Sequence, residues 1–174
     1  LQGWKVIPGV RFDSYFYLAR TRFSADPRLT VRVDVAPRVT LKAGTGIFHQ
    51  LPPDFLLDPD YGNPDLKLEW AVQTSAGAEW RFLEHALLDV QGFYIHRFDQ
   101  AVQTEGGEVT PEGGYRPFYF ANAGWGRSYG LEVLVKHDVT QRFYGWIAYT
   151  LSRTEEVSRA GRSLEPGRYD QTHI

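Results

Sequence analysis

Residues 70–82 alternate without a break, and few folds tolerate that. The even positions carry Trp70, Val72, Thr74, Ala76, Ala78, Trp80 and Phe82, whereas the odd ones carry Ala71, Gln73, Ser75, Gly77, Glu79 and Arg81. Successive side chains of a pleated strand point to opposite faces, so a period of two gives one oily face and one polar face. The residues just before it stop any earlier element. In Tyr61-Gly62-Asn63-Pro64-Asp65 the proline fixes its own backbone angle and pushes Asn63 out of the helical region.

The same pattern recurs along the chain. A first strand is expected over residues 4–18, with Trp4, Val6, Val10, Phe12, Phe16 and Leu18 opposite Lys5, Arg11 and Asp13. Pro8-Gly9 should bulge or locally unpair it, because proline cannot donate to a ladder. After a polar connection over residues 20–27, Leu29, Val31, Val33 and Val35 mark a second strand. Ala36-Pro37-Arg38 then turns tightly into a third, with Val39, Leu41, Ala43, Thr45 and Ile47 on its apolar side, so these two form a hairpin. A loop over residues 49–67 leads to the alternating fourth strand, and a short turn at Leu83-Glu84-His85 leads to a fifth over residues 86–100. There Leu88, Val90, Tyr94, His96 and Phe98 oppose Asp89, Gln91, Arg97 and Asp99. The longest loop, residues 101–125, has no periodicity. A sixth strand sets Tyr129, Leu131, Val133 and Val135 against Glu132 and Lys136, and turns briefly at Val139-Thr140-Gln141. A seventh over residues 142–153 has aromatics on both sides, leaving its outward face unassigned. Residues 169–174 read as the start of an eighth.

Connections thus alternate between long, after the odd-numbered strands, and short, after the even-numbered ones. In an up-and-down meander this collects every long loop at one end, as in outer-membrane barrels. Lys5, Arg11, Asp13, Arg32, Asp34, Lys42, Glu79, Arg81, Asp89, Arg97, Glu132 and Lys136 fall on the face opposite the apolar one, which is almost free of charge. A half-buried soluble sheet shows the same alternation, but its strands usually span about 5 or 6 residues. Those expected here are longer and suit tilted membrane strands of roughly 9 to 11 residues. Trp70 and Trp80, on one face, would stand roughly 23 Å apart along the membrane normal, matching two interfacial girdles. No apolar run is long enough to cross a bilayer as a helix. The absence of cysteine removes disulfides, thiolate metal sites and a cysteine nucleophile, and a net charge of −2 argues against a general nucleic-acid surface. With no methionine in its 174 residues, the chain is expected to be a processed product or a fragment.

Asn63-Pro64-Asp65-Leu66-Lys67-Leu68-Glu69 resembles the Asn-Pro-x-Leu-Lys-Pro-Glu signature at a loop-to-strand junction in the barrels of TonB-dependent outer-membrane receptors, with Leu68 where that family usually has proline. Further pieces are similar in order and spacing. They include Pro8-Gly9-Val10-Arg11-Phe12-Asp13, Lys42-Ala43-Gly44-Thr45-Gly46 followed by Pro52-Pro53, Tyr119-Phe120-Ala121-Asn122, Gly130-Leu131-Glu132 and Ala148-Tyr149-Thr150-Leu151-Ser152. The resemblance implies an all-β, antiparallel up-and-down meander that is part of a transmembrane β-barrel. Barrels of that family have about 22 strands around a plug, so about seven strands plus the start of an eighth would be part of one wall. Residues 1–174 are therefore expected to be a partial barrel domain without the plug or the closing strand.

The resemblance also implies a function, namely uptake of a scarce nutrient such as an iron–siderophore chelate or cobalamin across the outer membrane of a Gram-negative bacterium. The partners implied are outer-membrane lipid, the chelate, and an inner-membrane energy-coupling protein reached through N-terminal parts outside this stretch. No cofactor and no catalysis are expected. Phe48, Gln50, Gln73 and Arg97 should lie inward near the mouth, with Tyr115, Phe118 and Tyr119 in the long loop above. Rings with an occasional arginine suit an anionic, partly apolar chelate, although loop aromatics also pack on one another. Asp58, Asp60 and Glu69 have the one, three, twelve spacing of a calcium loop, but the intervening prolines and the strand that follows favour a solvated acidic loop, so no metal site is assigned. Two other readings stay open: a small eight-stranded outer-membrane barrel with a structural or adhesive role, and a soluble β-sandwich binding module.

Overall fold

The computed structural model describes residues 3–17, 20–60, 62–104, 108–109, 111–116, 120–139, 143–167 and 170. Seven long strands, β1 (Trp4–Tyr17), β2 (Arg20–Ala36), β3 (Val39–Gln50), β4 (Glu69–Leu83), β5 (Ala86–Gln103), β8 (Phe120–His137) and β9 (Gly145–Glu156), join the two-residue β10 (Glu165–Pro166) in one sheet. Every neighbouring pair is antiparallel and the order follows the chain, apart from a small separate hairpin, β6 (Glu108–Val109) with β7 (Tyr115–Arg116). The sheet is an open meander, as the alternation requires. Its two ends, β1 and β10, do not pair with each other.

The registers carry the two faces across the whole sheet. Ala43, Ala76, Gly92, Leu131 and Leu151 line up with Val31 in one apolar row, and Leu41, Ala78, Val90, Val133 and Tyr149 make the next. This fixes the face of β9 that its sequence left open: Ile147, Tyr149 and Leu151 point with the apolar set. On the other face charges neutralise one another across strands. Arg32 Nη2 donates to Glu79 at 2.7 Å and Lys42 Nζ to Asp89 at 2.5 Å, while the neutral Thr40 Oγ1 satisfies Asp34 at 2.7 Å.

Among the described residues no second layer covers the apolar face. Trp4, Phe12, Phe16, Phe23, Leu41, Leu131 and Ile147 are exposed, and the large residues that are fully buried, Leu57 and Leu66, sit instead in the loop-end cluster with Leu56, Tyr17, Leu51, Ala101 and Phe120. A water-soluble sheet must bury its oily side, since a contiguous patch of this extent marks an interface with protein or membrane. A sandwich would need a partner sheet, and the two-stranded β6–β7 hairpin is the sole other sheet among the described residues.

Several expectations need correction. Pro8-Gly9 does not bulge the first strand, because pairing runs unbroken from Trp4↔Val33 to Tyr17↔Arg20. Among the described residues β1 borders no strand on its other side, where a missing donor is tolerated. The polar residues 20–27 are strand rather than loop, which removes the first long connection and breaks the strict alternation of loop lengths. Tyr17 still reaches the loop-end cluster, so this connection lies at the same end as the loop over residues 51–68. The longest loop is shorter than expected, since β5 continues to Gln103 and β8 already begins at Phe120. The expected eighth strand at residues 169–174 falls largely outside the described residues, and the pairing observed is Glu165 and Pro166 with Glu156 and Glu155. Asp99 does not oppose Phe98. The β5–β8 register shifts between Arg97 and Ala101, Asp99 takes φ 53°, and its carboxylate reaches Trp70 on the apolar side. Asp is among the residues that tolerate this left-handed conformation. Opposite the shift, a Cβ on Gly124 would lie 2.4 Å from Val102, so the irregularity needs glycine there.

Candidate functional site at the loop end

Asn63 and Glu69 hold the loop end together. The Asn63 side chain accepts from Asp65 N at 2.9 Å and donates to Phe120 O at 2.7 Å, tying the loop to the start of β8. Gly62 is required just before it, because a Cβ would meet Leu56 O at 2.3 Å. The carbonyl of Pro64 accepts from Arg20 at 3.3 Å and Arg22 at 3.1 Å, and Arg20 also pairs with Asp65. Asn122 bridges Lys67 and Asp99, accepting from Lys67 N at 2.7 Å and donating to Asp99 O at 2.6 Å. The buried Glu69 accepts from Gln50 Nε2 at 2.7 Å and from Ala101 N at 2.8 Å, so one carboxylate satisfies β3 and the irregular stretch of β5. Leu68 in place of proline leaves these bonds intact.

Asp58 and Asp60 sit in the turn of the same loop, where Asp58 Oδ1 accepts from Asp60 N at 2.8 Å. Both oxygens of Glu69, the third residue of that spacing, are engaged as described.

Beneath the loop, on the charged face, Phe48, Gln50, Gln73 and Arg97 line one cavity of about 220 Å³ together with Gln100 and Ile95. These four were expected together, and they meet because Phe48, Ala71 and Arg97 share one row while Gly46, Gln73 and Ile95 share the next. Arg97 Nη2 lies 3.8 Å from Glu156, but its buried Nε and Nη2 and the buried Gln100 Oε1 have no hydrogen-bond partner among the described residues. Gln50 is committed to Glu69. Phe48 and Gln73 also border a larger cavity of about 470 Å³ that continues down the same face past Arg28, whose guanidinium lies 5.5 Å from the Phe48 ring. Arg28 and Gln100 were not singled out from the sequence: Arg28 sits at the supposed edge of a loop, and Gln100 depends on the shifted register. Tyr115 stands on β7, exposed and not among the residues that line this cavity, while Phe118 and Tyr119 lie outside the described residues.

The two tryptophans lie on the apolar face. Trp70, half-buried, stacks on Phe98 at 4.1 Å and donates Nε1 to Asp99 at 2.9 Å. Trp80 is half exposed at the opposite end, 5.8 Å from Phe82. At the loop end the apolar face carries a further ring stack, with His96 parallel to Trp125 at 5.5 Å and 4.2 Å from Phe98.

An open meander of long strands, oily outside, charged inside and closed by short turns at one end, is the wall of a transmembrane β-barrel. Residues 1–171 match the model of the family described as TonB dependent receptor-like, beta-barrel, and the chain belongs to that family. No curated protein matches it. The family supports an outer-membrane receptor or transporter, and sets aside the small eight-stranded barrel and the soluble sandwich.

Proposed function

We propose that this wall belongs to a receptor that imports a scarce nutrient such as an iron–siderophore complex or cobalamin, with an anionic, partly apolar chelate suiting its mouth best, into a Gram-negative cell with energy from the inner membrane. The observation that carries the reading is Arg97, whose buried Nε and Nη2 have no hydrogen-bond partner among the described residues, Nη2 lying 3.8 Å from Glu156, beside Phe48 and Gln73 in a hollow under the loop over residues 51–68. A guanidinium with spare donors suits bidentate binding of a carboxylate or phenolate. Phe48 offers a ring for stacking, and Arg28 just below extends the positive potential along the path inward. Tyr115, Phe118 and Tyr119 are assigned to the loop surface that meets the ligand first. Trp70 and Trp80 anchor the wall at the outer and inner interfaces.

The test is binding of the transported ligand by the intact receptor. Arg97→Ala should weaken affinity by about tenfold or more, the loss of one charge-assisted contact. Gln50→Ala, already occupied by Glu69, should change it much less. Unchanged affinity in Arg97→Ala and in Tyr119→Ala would remove the mouth assignment.

A further inference from the structure

Besides Asp99, whose carboxylate is held by Trp70, three charged residues break the rule that charge stays on the inner face. Arg127 of β8 and Arg153 and Glu155 of β9 fall on the apolar side, in rows with His96 and with Tyr94 and Tyr129. Glu155 Oε2 accepts from Arg127 Nε at 2.7 Å and its Oε1 pairs with Arg153 Nε at 3.1 Å, so one carboxylate holds two guanidiniums side by side. Arg127 also lies 6.0 Å from the centre of the Tyr129 ring. The cluster carries one net positive charge, with both arginine side chains well exposed.

Directly below it the same face is hollow. Ala76 and Gly92 are too small to fill their places between Tyr94 and Tyr129 on one side and Leu131 and Leu151 on the other. The resulting open depression of about 810 Å³ is almost wholly apolar, with Arg153 and Asp170 as its charged lining, the Asp170 carboxylate accepting from Thr154 N at 2.7 Å. Snorkelling to water explains a single long side chain near an interface. It does not explain two guanidiniums held by a shared carboxylate above an oily hollow.

We infer that this is a seat for one phosphorylated lipid of the outer leaflet, with its phosphate on Arg127 and Arg153 and an acyl chain lying in the hollow over Ala76 and Gly92. Guanidiniums match phosphate oxygens in geometry and charge. Glu155 fixes the spacing of the pair and lowers the cost of bringing two like charges together. The inference rests on the barrel reading with the loops outward, which sets this cluster at the level of the outer headgroups.

The experiment is native mass spectrometry of the intact receptor in detergent, titrated with bisphosphorylated lipid A and with the same lipid after dephosphorylation. The parent protein should retain the phosphorylated form about tenfold better. The double variant Arg127→Ala/Arg153→Ala should lose that preference, Arg127→Lys/Arg153→Lys should keep part of it, and Gly92→Leu, which fills the hollow, should weaken both lipids alike. Equal retention of the two lipids by the parent overturns the proposal, and needs no variant to fold. A double variant that keeps its heat-dependent gel shift and the parent's preference also overturns it. A parent protein with no heat-dependent shift would instead sink the barrel reading itself.

Discussion

Glu69 shows how much one residue decides at the loop end. Its carboxylate is buried and satisfies two donors on different strands. Removing it leaves buried donors unpaired, at about 1–3 kcal/mol. Glu69→Ala should therefore lower the temperature at which the intact receptor loses its heat-resistant gel form, with Glu69→Gln in between, because an amide oxygen replaces only one of the two acceptors. Asp138, in the turn after β8, is a weaker case. Lys136 Nζ lies 2.8 Å from it and, by hydrogen bond and charge, holds its carboxyl below the usual carboxylate range. A carboxyl with a lowered folded pKa stabilises the fold above its unfolded value and loses that contribution as pH falls through the folded one. NMR titration should show Asp138 protonating at more acidic pH than a free aspartate, and Lys136→Ala should move it back. The motif around Asn63 and Glu69 was legible as a turn and a strand start, but its bonding was not, since the partners Gln50, Ala101, Phe120 and Asn122 are brought together only by the folded sheet.

At the scale of the strand, alternation told the faces correctly wherever one side meets hydrocarbon and the other water. It failed above that zone. Residues 20–27 read as loop because polar side chains such as Arg22 and Asp26 interrupt the oily set, yet they are strand, held by Pro64 and by the His49–Asp26 contact of 2.6 Å. Past the membrane both faces are wet, so the period-two signal fades while backbone pairing continues. β9 was ambiguous for a different reason: Trp146 and Ile147 are both large and apolar, and only the register with β8 tells them apart. The faces make a sharp prediction. Val133→Arg, on the apolar side, should cost about 2–4 kcal/mol if it lies near the midplane, whereas Glu132→Arg on the neighbouring inward position should be tolerated far better. Chemical unfolding of the intact receptor in vesicles measures both, and equal costs would mean that the two faces are assigned wrongly.

These residues together form a wall, and its meaning depends on which way it stands in the membrane. Short turns at Pro37-Arg38 and Glu84-His85 mark one end, and the loop over residues 51–68 marks the other. In the proposed orientation the loop is outside and the turns are in the periplasm, which sets the Arg97 cavity at the extracellular mouth and the Arg127–Arg153 pair at the outer headgroups. Because these 174 residues contain no cysteine, single replacements add the only thiol in this stretch. The decisive measurement is labelling of Asp60→Cys and Arg38→Cys receptors on intact cells with a maleimide that cannot cross the outer membrane. Asp60→Cys should label at once, and Arg38→Cys only after the outer membrane is permeabilised. Labelling of Arg38→Cys on intact cells with Asp60→Cys protected would contradict the orientation, and labelling of both would contradict the membrane-spanning wall.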